Sequence, residues 1–525
     1  MAALLFAGAS AAKADDTPKR GGSIVYAMEA EIPWMDPHIA FGGTNKRVAT
    51  LVYEGLVVRD RTNPAPGKSP PLTGQLATSW SISPDGLVYT FKLREGVKFH
   101  DGTPFNADAV VFNFRRIIDP GFEFFFERAK PLRTTPLRYL KEVRKVDDST
   151  VDLVLSQPWG LFLNQLATTL SSGLPLFISP EAVKKYGNQD VNLHPSGTGP
   201  FKITGYEAGV KTILERNGEY WNQPLPYLDK ITFVVMPEAT TRVTALEAGE
   251  VDVIAALLPD AVPPLQEKGF NIVASEVTNQ IWYYGVNLDN ESGALKDKRV
   301  RQALNYAVDR VGMADQLLLG QLYPLDGMIV ATSPLWKRGL PTRYAYDPEK
   351  AKALLKEAGF AEGLTLKARI PTTGSSMLIP VPMTEWFQRD LEAVGIKLEI
   401  QTMDWTTYLG YWVKGMSPDV AFDCMSWASD HPEDWALDIF GTKGFGNTGH
   451  IKDEVIDKLF AEYEVTADPQ KQLDLMRQAF DRIQEEAYMV PIGSDKNIIV
   501  ANKRIKGNYP IPDWMQIPQY WWVEE

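Results

Sequence analysis

Residues Gln75 to Phe112, QLATSWSISPDGLVYTFKLREGVKFHDGTPFNADAVVF, decide how this chain is read. Ser83-Pro84-Asp85-Gly86 is a turn, because proline presets φ and a glycine after aspartate accepts a positive φ. Leu87, Tyr89, Phe91 and Leu93 then alternate with Val88, Thr90, Lys92 and Arg94, the period of a half-buried strand. Asp101-Gly102-Thr103-Pro104 forms a second turn, and Ala107–Phe114 continues as a helix. By local physics alone this is a hairpin on a sheet.

Composition bounds what surrounds it. With 525 residues the chain exceeds the ~250–300 residues at which a single core stops growing, so two or more cored lobes are expected. Hydrophobic content of 44% and charged content of 23% are those of an ordinary globular protein. The net charge of −12, from 54 Lys+Arg against 66 Asp+Glu, argues against nucleic acid as the main partner, since phosphate binding needs a basic face. The 14 tryptophans suit a core and equally suit a large enclosed cavity.

Ala2 to Ser10 is apolar and Ala12-Lys13-Ala14 precedes Asp15-Asp16, so residues 1–14 read as the remnant of a secretory leader ending in A-x-A. No later run is long and apolar enough to span a bilayer. Cys424 is the one cysteine, so no internal disulfide forms, and no thiol near the N-terminus can carry a lipid. A periplasmic protein without a lipid anchor is expected.

Gly21–Ala27 reads as a short strand. Pro64, Pro66, Pro70 and Pro71 mark a loop, and Pro195-Ser196-Gly197-Thr198-Gly199-Pro200-Phe201 a second strong break. Asp347-Pro348-Glu349 opens a helix with an N-cap, a first-turn proline and an acid on the dipole, and its body ends at Gly359. Asp468-Pro469 repeats that signal, with Leu473, Met476, Phe480 and Ile483 on one face. Arg299 to Arg310 reads as one more amphipathic helix whose arginines form a solvated or capped face.

Catalytic patterns do not occur. There is no H-E-x-x-H, C-x-x-C or G-x-S-x-G, and Gly67-Lys68-Ser69 lacks the upstream glycine of a phosphate loop. The histidines, His38, His100, His194, His431 and His450, include no ligand pair at helical spacing. No enzyme activity, cofactor or metal is expected.

The hairpin, with its L-A-x-S-W, D-G, Y-T-F-x-L-R and V-K-F-x-D-G runs, resembles the extracellular solute-binding proteins of family five, the dipeptide and oligopeptide class that serves bacterial ABC importers. Asp36-Pro37, Tyr53-Glu54-Gly55-Leu56, Gly197-Thr198-Gly199-Pro200-Phe201, Glu215-Arg216-Asn217 with Tyr220-Trp221, and Ala245-Leu246-Glu247-Ala248-Gly249-Glu250-Val251-Asp252 also follow the family pattern. The ordered series runs from Gly21 to Pro491. The resemblance implies an α/β, two-lobed periplasmic binding protein fold (class II, large peptide-binding type) with an extra subdomain in the first lobe. The first lobe is expected at 15–58, 191–278 and 490–525, the subdomain at 59–190 and the second lobe at 279–489.

The ligand is expected at Met403–Tyr408 and at Ser426-Trp427-Ala428-Ser429-Asp430, which resembles the family's W-x-x-D. In peptide-binding members that aspartate pairs with the ligand's α-ammonium, so Asp430 is the candidate. As a loop residue it could instead cap a helix at Pro432-Glu433-Asp434-Trp435. The resemblance places Trp405 and Trp427 at aromatic pocket walls. It aligns Phe41, Gly42 and Gly43 with the loop whose backbone pairs with an extended peptide, and Asn447 and His450 with a loop near the site. Tyr283 and Tyr284, after Trp282, either line the cleft or pack the hinge. One departure stands out: Trp412 and Cys424 occupy places where oligopeptide-binding members carry arginines, and Phe41 takes the place of an acid.

The expectation is a monomeric periplasmic receptor that closes on a small peptide or peptide-like amine and delivers it to an ABC permease and ATPase. A non-peptide cargo on the same fold (an opine or sugar conjugate, an oligosaccharide, a metal chelate) is the alternative. A secreted hydrolase or a receptor reporting to a sensor kinase stands further off.

Overall fold

The computed structural model describes residues 17–32, 35–39, 43–134, 136–167, 175–337, 343–374, 378–428, 433–466, 468–512 and 515–524. The stretch that opened the sequence analysis folds as read. Strands Ala77–Ile82 and Val88–Leu93 pair antiparallel across the Ser83–Gly86 turn, and Gly86 takes φ +71°. Tyr89, Phe91 and Leu93 are buried, so the period-two face is the inner one. Helix Ala107–Ile118 follows, capped by the Asn106 side chain on the Ala109 N–H.

Among the described residues the strands form three large sheets. The first has seven strands and centres on Ser23–Met28, which pairs in parallel with Lys230–Val235 and Val253–Ala255. The second has six and centres on Gln280–Val286, flanked by Phe422–Ala428 and Met489–Asp495. The third has four, Ala77–Ile82, Val88–Leu93, Leu140–Asp147 and Thr150–Leu155. Strand Met489–Asp495 lies across the change of lobe expected at 489/490, and its partners belong to the second sheet.

The chain passes between the first two sheets twice, after Asn271–Val273 and before Ile499–Ala501. The crossings run side by side: the Ser275 N–H donates to the Lys496 carbonyl at 3.0 Å, and Ser494 Oγ to Thr278 Oγ1 at 2.7 Å. Two adjacent connecting segments between two sheets are the geometry that permits a hinge.

The helix ends show which local signals act. Asp347 caps Pro348–Glu357 and Gly359 takes φ +90° beyond its end; Asp468 caps Pro469–Glu486. The helix expected from Arg299 to Arg310 spans Lys298–Ala307 instead. Val308 is extended there, and Asp309 caps a new turn by accepting from the Gly312 N–H. Arg299 lies on the outside against Asp297. Arg301 does not: it is 4% exposed and donates to the Glu486, Leu295 and Lys296 carbonyls, a buried clamp on loop ends.

A buried ion pair joins the four-stranded body to the first sheet. Arg116, on Ala107–Ile118, donates through Nη1 and Nη2 to Asp36 at 3.1 and 2.6 Å, and both side chains are 0% exposed. Burial alone would raise the Asp36 carboxyl, but the guanidinium outweighs it and holds the group below its ordinary value. Arg116 Nη1 also donates to His38 Nδ1 at 2.8 Å, which leaves Nε2–H to donate to the Leu176 carbonyl at 3.0 Å. His38 is therefore a neutral tautomer; burial, with the guanidinium, pushes it down to about 4. His100 repeats this, accepting at Nδ1 from Gly197 N–H and donating from Nε2 to the Gly199 carbonyl, and burial lowers it to about 4.

The four-stranded body also touches the second-sheet body. The Gly160 N–H donates to the Glu464 carbonyl at 2.9 Å, and the Gly67 N–H to the Ala331 carbonyl at 2.8 Å. Arg138 pairs with the Glu464 carboxylate and lies 4.8 Å from the Trp159 ring centroid. Gly160 has no substitute here, because a Cβ would lie 2.3 Å from the Thr466 carbonyl oxygen.

Removing one partner of a buried pair strands the other charge, a loss of about 3–5 kcal/mol. Arg116→Met is therefore expected to lower the unfolding free energy in urea by that amount, whereas Arg115→Met, at an exposed i,i+4 pair, changes it by less than about 0.5 kcal/mol. Histidines held neutral with folded pKa values below the unfolded 6.5 contribute stability that is present above pH 6.5 and lost as pH falls toward 4. His38→Asn and His100→Asn should each flatten the acid-side fall of Tm across that window.

Candidate functional site

Strand Phe422–Ala428 builds the most distinctive wall. Its alternation sends Phe422 and Cys424 into one core, with Trp282 and Tyr284, and Met425 into the other, with Ile281 and Tyr283; Trp427 packs against that second core. Helix Trp405–Trp412, capped by Asp404 on the Thr407 N–H, lays more rings on the second face. Trp412 and Trp427 centroids are 5.9 Å apart, Trp427 and Phe445 5.7 Å, and Trp405 stacks on Tyr408 at 5.9 Å. Trp405 and Trp427 are half-buried and Phe445 is exposed, so the wall has an open side. The Trp412 Nε1 is buried without an acceptor among the described residues, a donor left for a further polar group.

Asp423 sits behind the wall, opposite Gly285 on the neighbouring strand. It lines a cavity of about 20 Å³ with Arg369, Tyr408, Tyr411 and Trp412. Burial pushes its carboxyl up to about 6 despite hydrogen bonds from Thr448 and the Gly285 N–H. A Cβ at Gly285 would meet Asp423 Oδ1 at 2.4 Å, so this glycine makes room for the acid.

A second cavity, about 120 Å³, lies where the first two sheets approach. Glu29, Arg47 and Asp495 bring charge to it. Arg47 is 4% exposed and reaches Glu29 at 3.2 Å, and burial lifts Asp495 to about 6. Neighbouring Lys46 is also buried, and desolvation pulls it down to about 7.

A larger cavity, about 560 Å³, lies where the first-sheet body meets the segment 57–75, within the usual range for a small-solute pocket. It opens between the end of helix Gly43–Val52, strands Val57–Arg59 and Leu72–Gly74, the Tyr220–Leu225 loop and the segment Gln516–Tyr520. Tyr220, Trp221, Tyr509 and Tyr520 give it aromatic walls; Gln75, Asn222, Gln516 and Gln519 give it amides. Among its described lining residues none is one that the sequence analysis had assigned to ligand.

The expected residues thus separate. Trp405 and Trp427 share one wall, with Tyr283 buried at its base. Tyr284 points the other way, stacked 4.3 Å from Phe387 and hydrogen-bonded to Thr384, so it packs the core. Asn447 spends its amide on the Gly441 and Ile451 carbonyls and accepts from the Ile451 N–H, and His450 Nε2 meets the Met416 carbonyl; both shape their loop. Gly43 begins a helix and is buried. Phe41, Gly42, His431 and Asp430 lie outside the described residues. Trp412 and Cys424, which the resemblance sets where oligopeptide-binding members would carry arginines, are 7% and 0% exposed. Lys46, Arg47 and Asp423 carried no sequence signal, and Glu54 carried one only as part of the Y-E-G-L motif. Among the described residues no three or more His, Cys, Asp or Glu gather as a metal site, and no helix is long and apolar enough to cross a membrane.

Known proteins share this arrangement. The glutathione-binding protein GsiB of Escherichia coli O1:K1 / APEC is 30% identical over 503 residues, 93% of this chain and 92% of its own length, and GsiB of Shigella flexneri matches equally. Among solved structures, the periplasmic binding protein DppA from Helicobacter pylori in complex with the peptide STSA superposes with a TM-score of 0.81 at 24% identity, covering 97% of this chain and 99% of that one. NikA from Brucella suis in complex with Fe(III)-EDTA superposes at 0.79 and 26% identity, covering 95% and 98%. The family model described as bacterial extracellular solute-binding proteins, family 5 Middle, matches residues 71–447. The family model and the length of these matches agree: the chain belongs to the bacterial extracellular solute-binding proteins of family 5.

Proposed function

We propose that this protein is the periplasmic receptor of an ABC importer, closing on a small peptide or peptide-like amine and releasing it unaltered to a membrane permease. The observation that carries the reading is the half-open wall of Trp405, Tyr408, Trp412, Trp427 and Phe445 with an unused buried N–H at Trp412. Rings of this kind bury solute surface, and unspent donors fix its orientation. The relatives named for glutathione, and neighbours with bound peptides, support a γ- or α-linked peptide; glutathione is the first solute to try.

In this reading the first lobe comprises residues 15–58 and 191–278 with the C-terminal return, the subdomain 59–190, and the second lobe 279 through the strand ending at Asp495. The side-by-side crossings serve as the hinge. Asp430, by resemblance, takes the ligand ammonium, a charge-assisted bond of about 1.5–3 kcal/mol. The buried mixture of Glu29, Arg47 and Lys46 near the sheet junction supplies the charge that the missing arginines do not.

Native mass spectrometry of the protein as purified, followed by calorimetry with reduced glutathione and dialanine, tests the cargo. An unmodified peptide-sized adduct is expected; recovery of cleaved products would defeat the reading. Asp430→Asn should weaken an amine cargo by about 10- to 100-fold, as the loss of one such bond requires. Trp427→Ala should weaken it by a similar factor.

Closure is testable without knowing the cargo. Gly160→Ala forces apart the contact at Thr466, so small-angle scattering of the unliganded protein should show a larger radius of gyration than the parent. Equal radii would mean that the Gly160–Glu464 contact does not help hold the two bodies together.

A further inference from the structure

Three motifs that the sequence analysis singled out converge on one buried carboxylate. Glu54, of Tyr53-Glu54-Gly55-Leu56, is 1% exposed. Its Oε1 accepts from Tyr220 Oη at 2.8 Å and Trp221 Nε1 at 3.1 Å. Its Oε2 accepts from Trp221 Nε1 at 2.9 Å and Thr198 Oγ1 at 2.8 Å. Thr198 belongs to the Gly197–Phe201 motif and Tyr220-Trp221 to the third. The packing leaves no slack: a Cβ on Gly197 would meet the Val52 carbonyl oxygen at 2.0 Å, and one on Gly199 the Leu51 carbonyl oxygen at 2.6 Å.

Tyr220 and Trp221 are walls of the 560 Å³ cavity. The Arg94 guanidinium carbon lies 4.0 Å from the Trp221 ring centroid, and Arg94 Nε donates to the Gln75 carbonyl. Gln75 lines the same cavity and accepts from the Gly55 N–H at 2.9 Å. The indole is thus held at its nitrogen by Glu54 and on its face by Arg94.

We infer that Glu54 is a positioning residue for a solute-sized cavity distinct from the tryptophan wall: it sets the planes of Tyr220 and Trp221, and hence the shape of the space they wall, without touching what enters it. The inference rests on reading this chain as a solute receptor. An indole N–H can only donate, so it needs a carboxyl oxygen that is not itself carrying a proton. The Tyr220 and Thr198 hydroxyls can reverse their roles when Glu54 is protonated; Trp221 cannot. The charged and titratable groups facing Glu54 are Arg94 and Tyr220, with Tyr520 beyond Tyr220. Burial, the largest influence, lifts Glu54 to about 7, which brings the Trp221 anchor into a range that solution experiments reach.

The test is fluorine NMR on the full chain labelled with 5-fluorotryptophan, the Trp221 resonance being assigned by its loss in Trp221→Phe. In the parent it should shift between pH 5.5 and 8.5 with a midpoint near 7. In Glu54→Gln, which keeps an acceptor but no titratable proton, that shift should vanish. Thr198→Val should move the midpoint while leaving the fold intact by circular dichroism. A Trp221 resonance indifferent to pH and to Glu54→Gln overturns the positioning role. Calorimetry with reduced glutathione supplies the second arm: Glu54→Gln should weaken it by about 3- to 10-fold and Trp427→Phe should leave the Trp221 titration unchanged. Absence of glutathione binding in the parent counts against that cargo and leaves the fluorine result to decide the role of Glu54.

Discussion

Arg116 and Asp36 set the frame in which everything else is placed. The pair has no access to water, and transferring two charges to the interior costs several kcal/mol per ion before attraction and hydrogen bonds offset it. What the chain gains is register. Asp36 lies eight residues beyond the first sheet's central strand, and Arg116 lies on the helix of the four-stranded body. With His38 and Asn188 also on the guanidinium, the added body can dock in one orientation only. That orientation delivers Gly160 and Arg138 to Glu464, and the hairpin edge at Gln75 and Arg94 to the Glu54 knot.

Much of this was written locally. The Ser83–Gly86 turn, the Asp347 and Asp468 caps and the glycine beyond Glu357 act through their own neighbours, so residue types suffice to place them. Function-bearing side chains behaved differently. Tyr283 and Tyr284 are adjacent on a strand, and a period of two means that only one of them can face a cleft; tertiary packing chose Tyr283 for the wall side and gave Tyr284 to Phe387. Asn447 reads as a site residue until its loop claims both ends of its amide. Arg301 reads as a solvated charge, and the carbonyls of Leu295, Lys296 and the distant Glu486 draw it inside. Glu54 is visible as a letter in a motif, but its partners at 198 and 220–221 are brought together only by the fold. Phe41, Gly42 and Asp430 fall outside the described residues, and their roles stand as part of the proposal.

The division of labour within the second sheet explains how such a receptor can change cargo. On strand Phe422–Ala428 the side chains of one face complete a core with Trp282, Tyr284 and Phe387, and those of the other carry the tryptophan wall. Substitutions on the wall side alter contacts with solute while the opposite core remains filled. Trp412 and Cys424 mark the two sides: the first belongs to the ring cluster, and the second is sealed in the opposite core.

Cys424 carries a consequence of its own. Its sulfur is sealed in the second sheet and burial drives its thiol well above the ordinary range, so alkylating reagents can reach it only when that sheet parts. Because the sequence contains no other cysteine, the alkylation rate of the native protein is a single-site clock for opening of the second lobe's core. Rigid-body movement of the jaws leaves the sheet intact and does not advance that clock, so the two kinds of motion can be timed separately in an unmodified molecule.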